Sequence, residues 1–243
     1  ISSKLYSNDG QLLSEFSSEK RIFVPYNSIP VLVVNSFLSA EDKNFFKHPG
    51  VDAKGVLRAI INNFKNILTS KRLEGASTIT QQVAKNFLLT NEVSINRKIK
   101  ETILAFRIER ALSKERILEL YLNDIYLGFG SYGIGTASLN YFNKSIYNLK
   151  LHEIAFLASL PKAPNNYNPK TNYPKAIDRR NWVIDRMYVN GFIKRKELDY
   201  KNKPIEVYER EDIEFSDADY FYEEIRKELF NKFGKEKLYA EGL

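Results

Sequence analysis

The opening of the chain alternates polar and apolar residues, and the pattern becomes helical after Pro30. Alternation at residues 4–6, 12–13 and 21–24, together with the turn signal Asn8-Asp9-Gly10, predicts two short strands. From residue 31 onward, apolar residues recur at the intervals expected for one face of an amphipathic helix. The chain is therefore predicted to be mainly α, with short N-terminal β-strands.

Capping residues and prolines set the boundaries of the predicted helices. Asp52 and Ser113 are suitable N-caps, and Pro161 ends a helical segment. Thr78 and Gln81 have the spacing of a capping box. The predicted helices cover residues 31–46, 52–68, 78 onward, 95–112, 113–127, 151–160, 175–190 and 215–234.

Charge divides the chain into a basic body and an acidic tail. The 243 residues include 37 Lys and Arg against 30 Asp and Glu, and residues 206–243 hold 6 basic and 12 acidic side chains. Residues 1–205 then hold 31 basic and 18 acidic side chains. Such a body favours an anionic partner such as a phosphate, a nucleic acid or a lipid surface, although a solvated basic face explains it equally well.

Composition excludes several kinds of site. The chain has no cysteine, which rules out disulfides, thiolate metal ligands and thiol catalysis. It has only two histidines, so a zinc site built from histidines is not expected. The longest apolar run, residues 29–40, is interrupted by polar residues and is too short to span a membrane. The chain begins with Ile1 and shows no signal-peptide pattern, so we expect a fragment of a longer protein.

Glu41 and Asp42 stand at the end of the apolar run 31–40. A carboxylate beside an apolar helix, near the negative C-terminal end of that helix, should have a raised pKa, as a general acid or base needs. The alternative is a solvated acidic pair at a helix end, and this feature alone favours that alternative.

A small-residue turn at residues 75–77 precedes a polar helix start. Backbone N–H groups at such a start favour an anion, and Lys85 lies on the same helix face as Thr78 and Gln82. This polar face is typical of a ligand-binding surface. An ordinary capped amphipathic helix is an equally good interpretation.

Two further segments combine charge with a candidate ligand. Arg97 and Lys98 precede Glu101 by about one helical turn. In a cleft, the two cations could hold a phosphate. On an exposed helix, they would only form weak ion pairs with Glu101. Residues 64–72 are apolar and basic together, which fits an anionic membrane surface, although this pattern slightly favours an ordinary helix end with flanking lysines.

Residues 128–133 match a dinucleotide-binding fingerprint by letter. The residues before them have helical rather than strand periodicity, which argues against that site. A tight loop between two helices is expected instead.

Taken in order, these segments resemble the motifs of the peptidoglycan glycosyltransferases, glycosyltransferase family 51, the lipid II polymerising module of class A penicillin-binding proteins. The resemblance covers about residues 31–200. The matching motifs are Glu41-Asp42-x-x-Phe45-x-x-His48-x-Gly50; Gly75-Ala76-Ser77-Thr78-Ile79-Thr80-Gln81-Gln82-x-x-Lys85-Asn86; Arg97-Lys98-x-x-Glu101; Leu120-Tyr121-Leu122-Asn123 through Gly133 to Tyr141-Phe142; and Glu153-x-Ala155 through Pro161, Pro164 and Tyr167-Asn168-Pro169. Ala76, where many relatives have a second glycine, is a small departure.

The resemblance implies a lysozyme-like helical lobe beside a smaller membrane-associated jaw lobe. It implies that Glu41 is the general base, which deprotonates the 4-hydroxyl of a lipid II sugar for attack on a lipid-linked donor. Undecaprenyl pyrophosphate would leave, with inversion at the donor carbon. Glu101 is the second catalytic residue expected, through its effect on nearby cations or the donor. The residues expected to bind substrate are Asp42, Ser77, Thr78, Gln81, Gln82, Lys85, Asn86, Arg97, Lys98 and Asn123.

The resemblance also implies partners and organisation. Lipid II and a lipid-linked glycan strand would bind at the extracytoplasmic face of the bacterial cytoplasmic membrane, and no nucleic acid is expected. No cofactor is required by the sequence and no dedicated metal site is expected, although Mg²⁺ or Mn²⁺ could assist at the pyrophosphate. Residues 1–30 would be strands and a linker after an absent membrane anchor, residues 31–205 the glycosyltransferase domain, and residues 206–243 an acidic linker to an absent transpeptidase domain.

Two other functions stay open. A lysozyme-like glycoside hydrolase could use two glutamates as acid and base, although a hydrolase has no need of the cations around Glu101. A non-enzymatic basic module that binds lipid or nucleic acid would bind in a salt-dependent way and would tolerate the loss of Glu41.

Overall fold

The computed structural model describes residues 3–6, 12–16, 21–68, 75, 77–89, 94–208 and 217–237. The chain divides into two compact units, one of residues 21–207 and the other drawn from residues 1–20 and 208–243. The α-helices are α1 (Val31–Glu41), α2 (Ala53–Leu68), α3 (Ile79–Leu88), α4 (Ile95–Ala111), α5 (Lys114–Asp124), α6 (Gly133–Phe142), α7 (Leu151–Ser159), α8 (Tyr173–Val189) and α9 (Asp217–Glu236). Short 3-10 helices occupy Tyr26–Ser28, Phe45–Lys47, Ile146–Asn148 and Arg195–Asn202. The prediction of a mainly α fold is confirmed.

The smaller unit contains an antiparallel pair of strands, β1 (Ser3–Tyr6) and β2 (Leu12–Phe16). Lys4 pairs with Glu15, and the register shifts after Leu5. The two predicted strands are confirmed, whereas the predicted turn at residues 8–10 lies outside the described residues. The division of the chain at residues 30 and 205 stays a prediction.

Helix α7 forms the centre of the larger unit. Every residue from Leu151 to Ser159 is buried, because apolar side chains occur on most sides of this helix. Its buried carboxylate, Glu153, accepts hydrogen bonds from Lys144 Nζ at 2.6 Å and from the Lys150 amide at 2.7 Å. Helix α7 packs against both α1 and α8, so these two helices share one support.

Helix α1 ends at Glu41, before the predicted end at residue 46. Asp42 leaves the helical conformation with φ −156° and ψ 77°, and a separate 3-10 turn follows at Phe45–Lys47. The Asp42 carboxylate accepts a hydrogen bond from the Ile79 amide at 3.1 Å. This contact with a distant residue holds Asp42 outside the helical conformation, although the apolar pattern continues to residue 46. Glu41 is therefore the last residue of the helix.

Helix α6 is the element that the sequence prediction lacks, since Gly133 and Gly135 in its first turn lower its helix propensity. The predicted tight loop before it is confirmed: Gly128, Phe129 and Gly130 all have positive φ. The preceding segment is helix α5, which ends at Asp124 rather than near residue 127. A helix in this place rules out the dinucleotide-binding interpretation, because that fingerprint follows a strand.

Replacing Gly133 by Ala is expected to destabilise the protein by about 3 to 5 kcal/mol. Gly133 has φ +76°, and a Cβ there would lie 2.5 Å from the carbonyl oxygen of Asn123, so strain and overlap add. Gly130→Ala is the matched control, since Gly130 also has positive φ but a Cβ would meet nothing within 4 Å. The control should lose about 1 to 2 kcal/mol. Urea unfolding measures both, and equal losses would contradict the role of the Asn123 contact.

Helix α2 presents an apolar face that the rest of the larger unit leaves uncovered. Leu57, Ile60, Ile61 and Phe64 are each at least 50% exposed. Lys71 and Arg72, which the sequence linked to this segment, lie outside the described residues. Among the residues with a described conformation, no helix combines the length and hydropathy that crossing a bilayer demands.

Candidate active site

A cleft of about 920 Å³ lies in the larger unit, where the end of α1 meets the start of α3 and the helices α4 and α8. It collects most of the predicted site residues. Those lining it are Glu41, Asp42, Ser77, Thr78, Gln82, Lys85, Arg97, Lys98 and Glu101. Gln81, Asn86 and Asn123 do not line it.

Glu41, the last residue of α1, points its carboxylate toward helix α3. Gln82 Nε2 donates a hydrogen bond to Glu41 Oε2 at 3.0 Å. Burial raises the pKa of Glu41 above its ordinary value, and this effect outweighs the lowering by Gln82, Arg179 and Lys162. A cleft carboxylate with a raised pKa is suited to proton transfer near neutral pH.

Asp42, next to Glu41, is occupied by protein groups. Its side chain is 4% exposed, and both of its oxygens contact His48 Nε2, at 3.0 and 2.9 Å. The Gly50 amide donates to His48 Nδ1 at 3.2 Å, so Nε2 carries the proton that is donated to Asp42. Because Ile79 N–H binds the same carboxylate, Asp42 joins the end of α1 to the start of α3. Asp42 also lines the cleft, and its contact with substrate stays a prediction.

The capping box at the start of α3 is present as predicted. The Gln81 amide donates to Thr78 Oγ1 at 3.2 Å, and the Thr78 amide donates to Gln81 Oε1 at 3.0 Å. Gln81 also donates from Nε2 to Thr102 Oγ1 at 3.2 Å, and its side chain faces the interior. These bonds and the Asp42 contact use the amides of Ile79 and Gln81. The first turn of α3 is therefore less available to an anion than the sequence indicated.

Cations gather around Glu101 on α4. The Glu101 side chain is 4% exposed; Arg97 Nη1 donates to its Oε2 at 3.0 Å, and Lys98 Nζ donates to its Oε1. Lys98 Nζ also donates to Ser77 Oγ at 2.9 Å. Lys85 on α3 adds an exposed cation to the same cleft. Glu101 thus holds two cations in the cleft wall, and its part in the reaction stays a prediction.

Asn123 and Asn86 lie away from the cleft. Asn123 Oδ1 accepts from the Val24 amide at 2.7 Å, and its Nδ2 donates to the carbonyls of Val24 and Glu119 at 2.9 and 2.8 Å. These bonds fasten Val24 to helix α5, so the geometry supports a structural role for Asn123. Asn86 is exposed on α3, outside the cleft lining.

Helix α8 supplies cleft residues that the sequence analysis did not identify. Arg179, Trp182 and Arg186 line the cleft, and their spacing of three and four residues places them on one helix face. That spacing was visible in the predicted helix 175–190. Its position beside Glu41 was not, because it depends on the packing of α8 and α1 against α7. Other charged residues of the lining that were missed are Lys43, Asp52, Arg58 and Lys162.

The cleft carboxylates do not form a metal-binding set. In the described part of the chain, no group of three or more His, Asp or Glu side chains is placed to hold an ion. Asp42 and Glu101 are engaged as described above, and Asp52 accepts from Asn44 Nδ2 at 3.0 Å and the Gly55 amide at 2.9 Å. Among the residues that the structure describes, the cleft carboxylates therefore offer no ready ligand set for a resident metal ion.

Comparisons with known proteins match most of the chain. The transglycosylase family model matches residues 9–188. Penicillin-binding protein 1A of Rickettsia felis is 50% identical over 242 residues, which cover 99% of this chain and 31% of that relative. Penicillin-binding protein 1A of Escherichia coli (strain K12) is 42% identical over 244 residues, 100% of this chain and 28% of that relative.

A solved structure is similar over most of the chain. The crystal structure of penicillin-binding protein 1A from Haemophilus influenzae has a TM-score of 0.56 and 28% sequence identity, covering 98% of this chain and 25% of that protein. The chain spans less than a third of the length of its curated relatives. The family match includes the cleft from Glu41 to Arg186. The chain therefore belongs to the transglycosylase family of peptidoglycan glycosyltransferases.

Proposed function

We propose that the chain polymerises lipid II into β-1,4-linked glycan strands by inverting glycosyl transfer. The observation that carries the proposal is the presence, in one cleft, of the Glu41 carboxylate with a raised pKa and of the cations Lys85, Arg97 and Lys98. Transfer from a lipid-linked pyrophosphate needs both a base for the acceptor and positive charge for the leaving group.

In the proposed reaction, one bond forms and one bond breaks at the donor carbon C1. Glu41 removes the proton from the 4-hydroxyl of the acceptor N-acetylglucosamine, and that oxygen bonds to C1 of the donor sugar. The bond from C1 to the pyrophosphate oxygen breaks on the opposite face, so the α donor becomes a β linkage. Negative charge grows on the departing undecaprenyl pyrophosphate, where Lys85, Arg97 and Lys98 would stabilise it.

The runner-up, a lysozyme-like glycoside hydrolase, needs a second carboxyl group that is free to donate or accept a proton. Glu101 is occupied by Arg97 and Lys98, and Asp42 by His48 and Ile79. Glu41 is therefore the cleft carboxylate best placed for proton transfer, which supports the transferase over the hydrolase.

The proposed substrate is lipid-linked, so the reaction would take place at a membrane surface, on the extracytoplasmic face of the bacterial cytoplasmic membrane. The exposed apolar side chains of helix α2 support contact with lipid. Assistance by Mg²⁺ or Mn²⁺ would come from ions carried by the pyrophosphate rather than from a protein site.

The test is polymerisation of labelled lipid II in detergent, with the products separated by length. Glycan strands are the expected product. Incubation with finished glycan strands is the counter-test, because release of muropeptides would replace the transferase by a hydrolase. Lipid binding that collapses with salt, without turnover and without sensitivity to Glu41→Gln, would favour the non-enzymatic module.

Turnover is expected to fall at acid pH, with a midpoint above the ordinary pKa of a glutamate side chain. Burial raises the pKa of Glu41 in the folded protein, and a base must be deprotonated to act, so activity is lost as pH falls through that raised value. The measurement is kcat/KM for lipid II polymerisation across about pH 4 to 9. Circular dichroism at each pH separates unfolding from titration. An acid limb at the ordinary value would show that Glu41 is not perturbed as described.

A further inference from the structure

Trp182 stands in the cleft wall close to two arginines of its own helix. The guanidinium carbon of Arg179 lies 3.8 Å from the centroid of the indole ring, and that of Arg186 lies 5.8 Å from it. Both distances are within the range of cation–π attraction, for which tryptophan is the strongest ring. The indole is 39% exposed and lines the cleft with both arginines.

The Arg179 side chain contacts this ring and, in the described part of the chain, has a buried donor without a partner. Within the described residues, Arg179 Nε is buried and has no hydrogen-bond partner. Arg179 lines the same cleft as Glu41, and the charge of each residue affects the pKa of the other. A long side chain without that bond keeps rotamer freedom unless a surface restricts it, and the flat indole face does so without using N–H donors.

We propose that Trp182 is a positioning residue whose indole ring holds the Arg179 guanidinium beside the Glu41 carboxylate. The consequence for the reaction rests on the proposed function, in which Glu41 is the base. Held in place, Arg179 lowers the pKa of Glu41, which opposes part of the larger raising effect of burial. The groups that face Glu41 are Gln82, Asp42, Lys162, Arg179 and Tyr121.

The proposal is tested first by titrating Glu41 itself. Carbon-13 NMR of protein labelled at the glutamate carboxyl carbons follows each titration, and Glu41→Gln identifies the Glu41 signal. Trp182→Ala is expected to raise the pKa of Glu41, in the same direction as Arg179→Ala, because a released guanidinium no longer stabilises the charged form. Trp182→Phe should raise it less, since phenylalanine keeps a smaller ring.

A double variant separates positioning from a direct effect of the ring. If Trp182 acts through Arg179, the variant carrying both Trp182→Ala and Arg179→Ala titrates like Arg179→Ala alone. Tyr188→Ala is the matched control, because Tyr188 is an exposed aromatic residue of α8 outside the cleft lining. An unchanged Glu41 titration in Trp182→Ala, or additive shifts in the double variant, would overturn the proposal.

Fluorescence tests the contact without any reference to titration. Trp182 is the only tryptophan of the chain, so its emission reports on the cleft wall alone. Arg179→Ala should change the intensity or wavelength of that emission, and Tyr188→Ala should leave it unchanged. Identical emission in wild type and Arg179→Ala would show that the ring does not hold the guanidinium in solution.

Kinetic measurements test whether the role of Trp182 affects the proposed reaction. At acid pH, Trp182→Ala should lower kcat/KM by roughly two- to thirtyfold, the factor that corresponds to about 0.5 to 2 kcal/mol of cation–π attraction. The loss should shrink at high pH, where Glu41 is ionised in both proteins. If wild type makes no glycan, the proposed function fails, and the NMR and fluorescence results still decide the role of Trp182.

Discussion

Glu41→Gln is expected to lower lipid II polymerisation by roughly 10²- to 10⁴-fold, the contribution of a positioned general base. Glutamine keeps the shape of the side chain and can still contact Gln82, but it cannot accept a proton from the acceptor hydroxyl. Binding of lipid II should remain close to that of wild type, because the cations that would hold the pyrophosphate are unchanged. Turnover in detergent and binding of labelled lipid II measure the two effects.

Thermal stability shows whether the loss of turnover in Glu41→Gln comes from the missing base or from misfolding. Burial raises the pKa of Glu41, so folding free energy is lost as the pH rises from the ordinary glutamate pKa to the raised value, and the full cost remains at higher pH. Glu41→Gln should therefore match or exceed the thermal stability of wild type at neutral pH. Glu115→Gln on the exposed surface of α5 is the control for a neutralised glutamate and should keep full turnover. Near wild-type activity of Glu41→Gln would remove Glu41 as the base.

Lys98→Ala and Glu101→Gln are each expected to lower turnover by at least ~10²-fold, the scale of one lost group that stabilises developing charge. Lys98 bridges Glu101 and Ser77 in the cleft wall, so its removal takes away a cation and the order of its neighbours. Glutamine at position 101 removes the charge that holds Arg97 and Lys98 together. Turnover at saturating lipid II is the quantity to compare.

The two variants should differ in one respect. Glu101→Gln leaves both cations in the cleft, so lipid II should still bind, whereas Lys98→Ala should weaken binding as well as turnover. Lys100→Ala is the matched control, because Lys100 is an exposed cation of the same helix that does not line the cleft. Unchanged turnover in Lys98→Ala or Glu101→Gln would exclude that residue from the site.

Local rules account for the parts of the fold that the sequence predicted well. The capping box of Thr78 and Gln81 depends on residues three positions apart, and so does the Ser113 cap that accepts from the Arg116 amide at 3.3 Å. Helix α6 was missed because two glycines in its first turn lower its helix propensity. The end of α1 was mispredicted because it depends on a distant contact. Asp42 is held by Ile79, 37 residues away, and no local pattern contains that contact.

The same distinction applies to the cleft residues. Glu41, Lys98 and Glu101 were identified because their motifs follow a recognisable order along the chain. Asn123 belongs to one of those motifs, yet its amide is used by Val24, which lies 99 residues away, and by Glu119. A motif letter cannot tell a residue that contacts substrate from one that supports the fold, because both are required for the site to form.

By itself, the sequence determined the helical class, the paired strands, the basic body and the family, because these depend on periodicity, composition and motif order. Only the tertiary structure decided which side chains remain available to a ligand. It brought Arg179 and Trp182 of α8 to the cleft that contains Glu41, and it engaged Asp42 and Glu101 with protein partners. Burial and pairing set the charge that each group presents, and both depend on packing between segments that are distant along the chain.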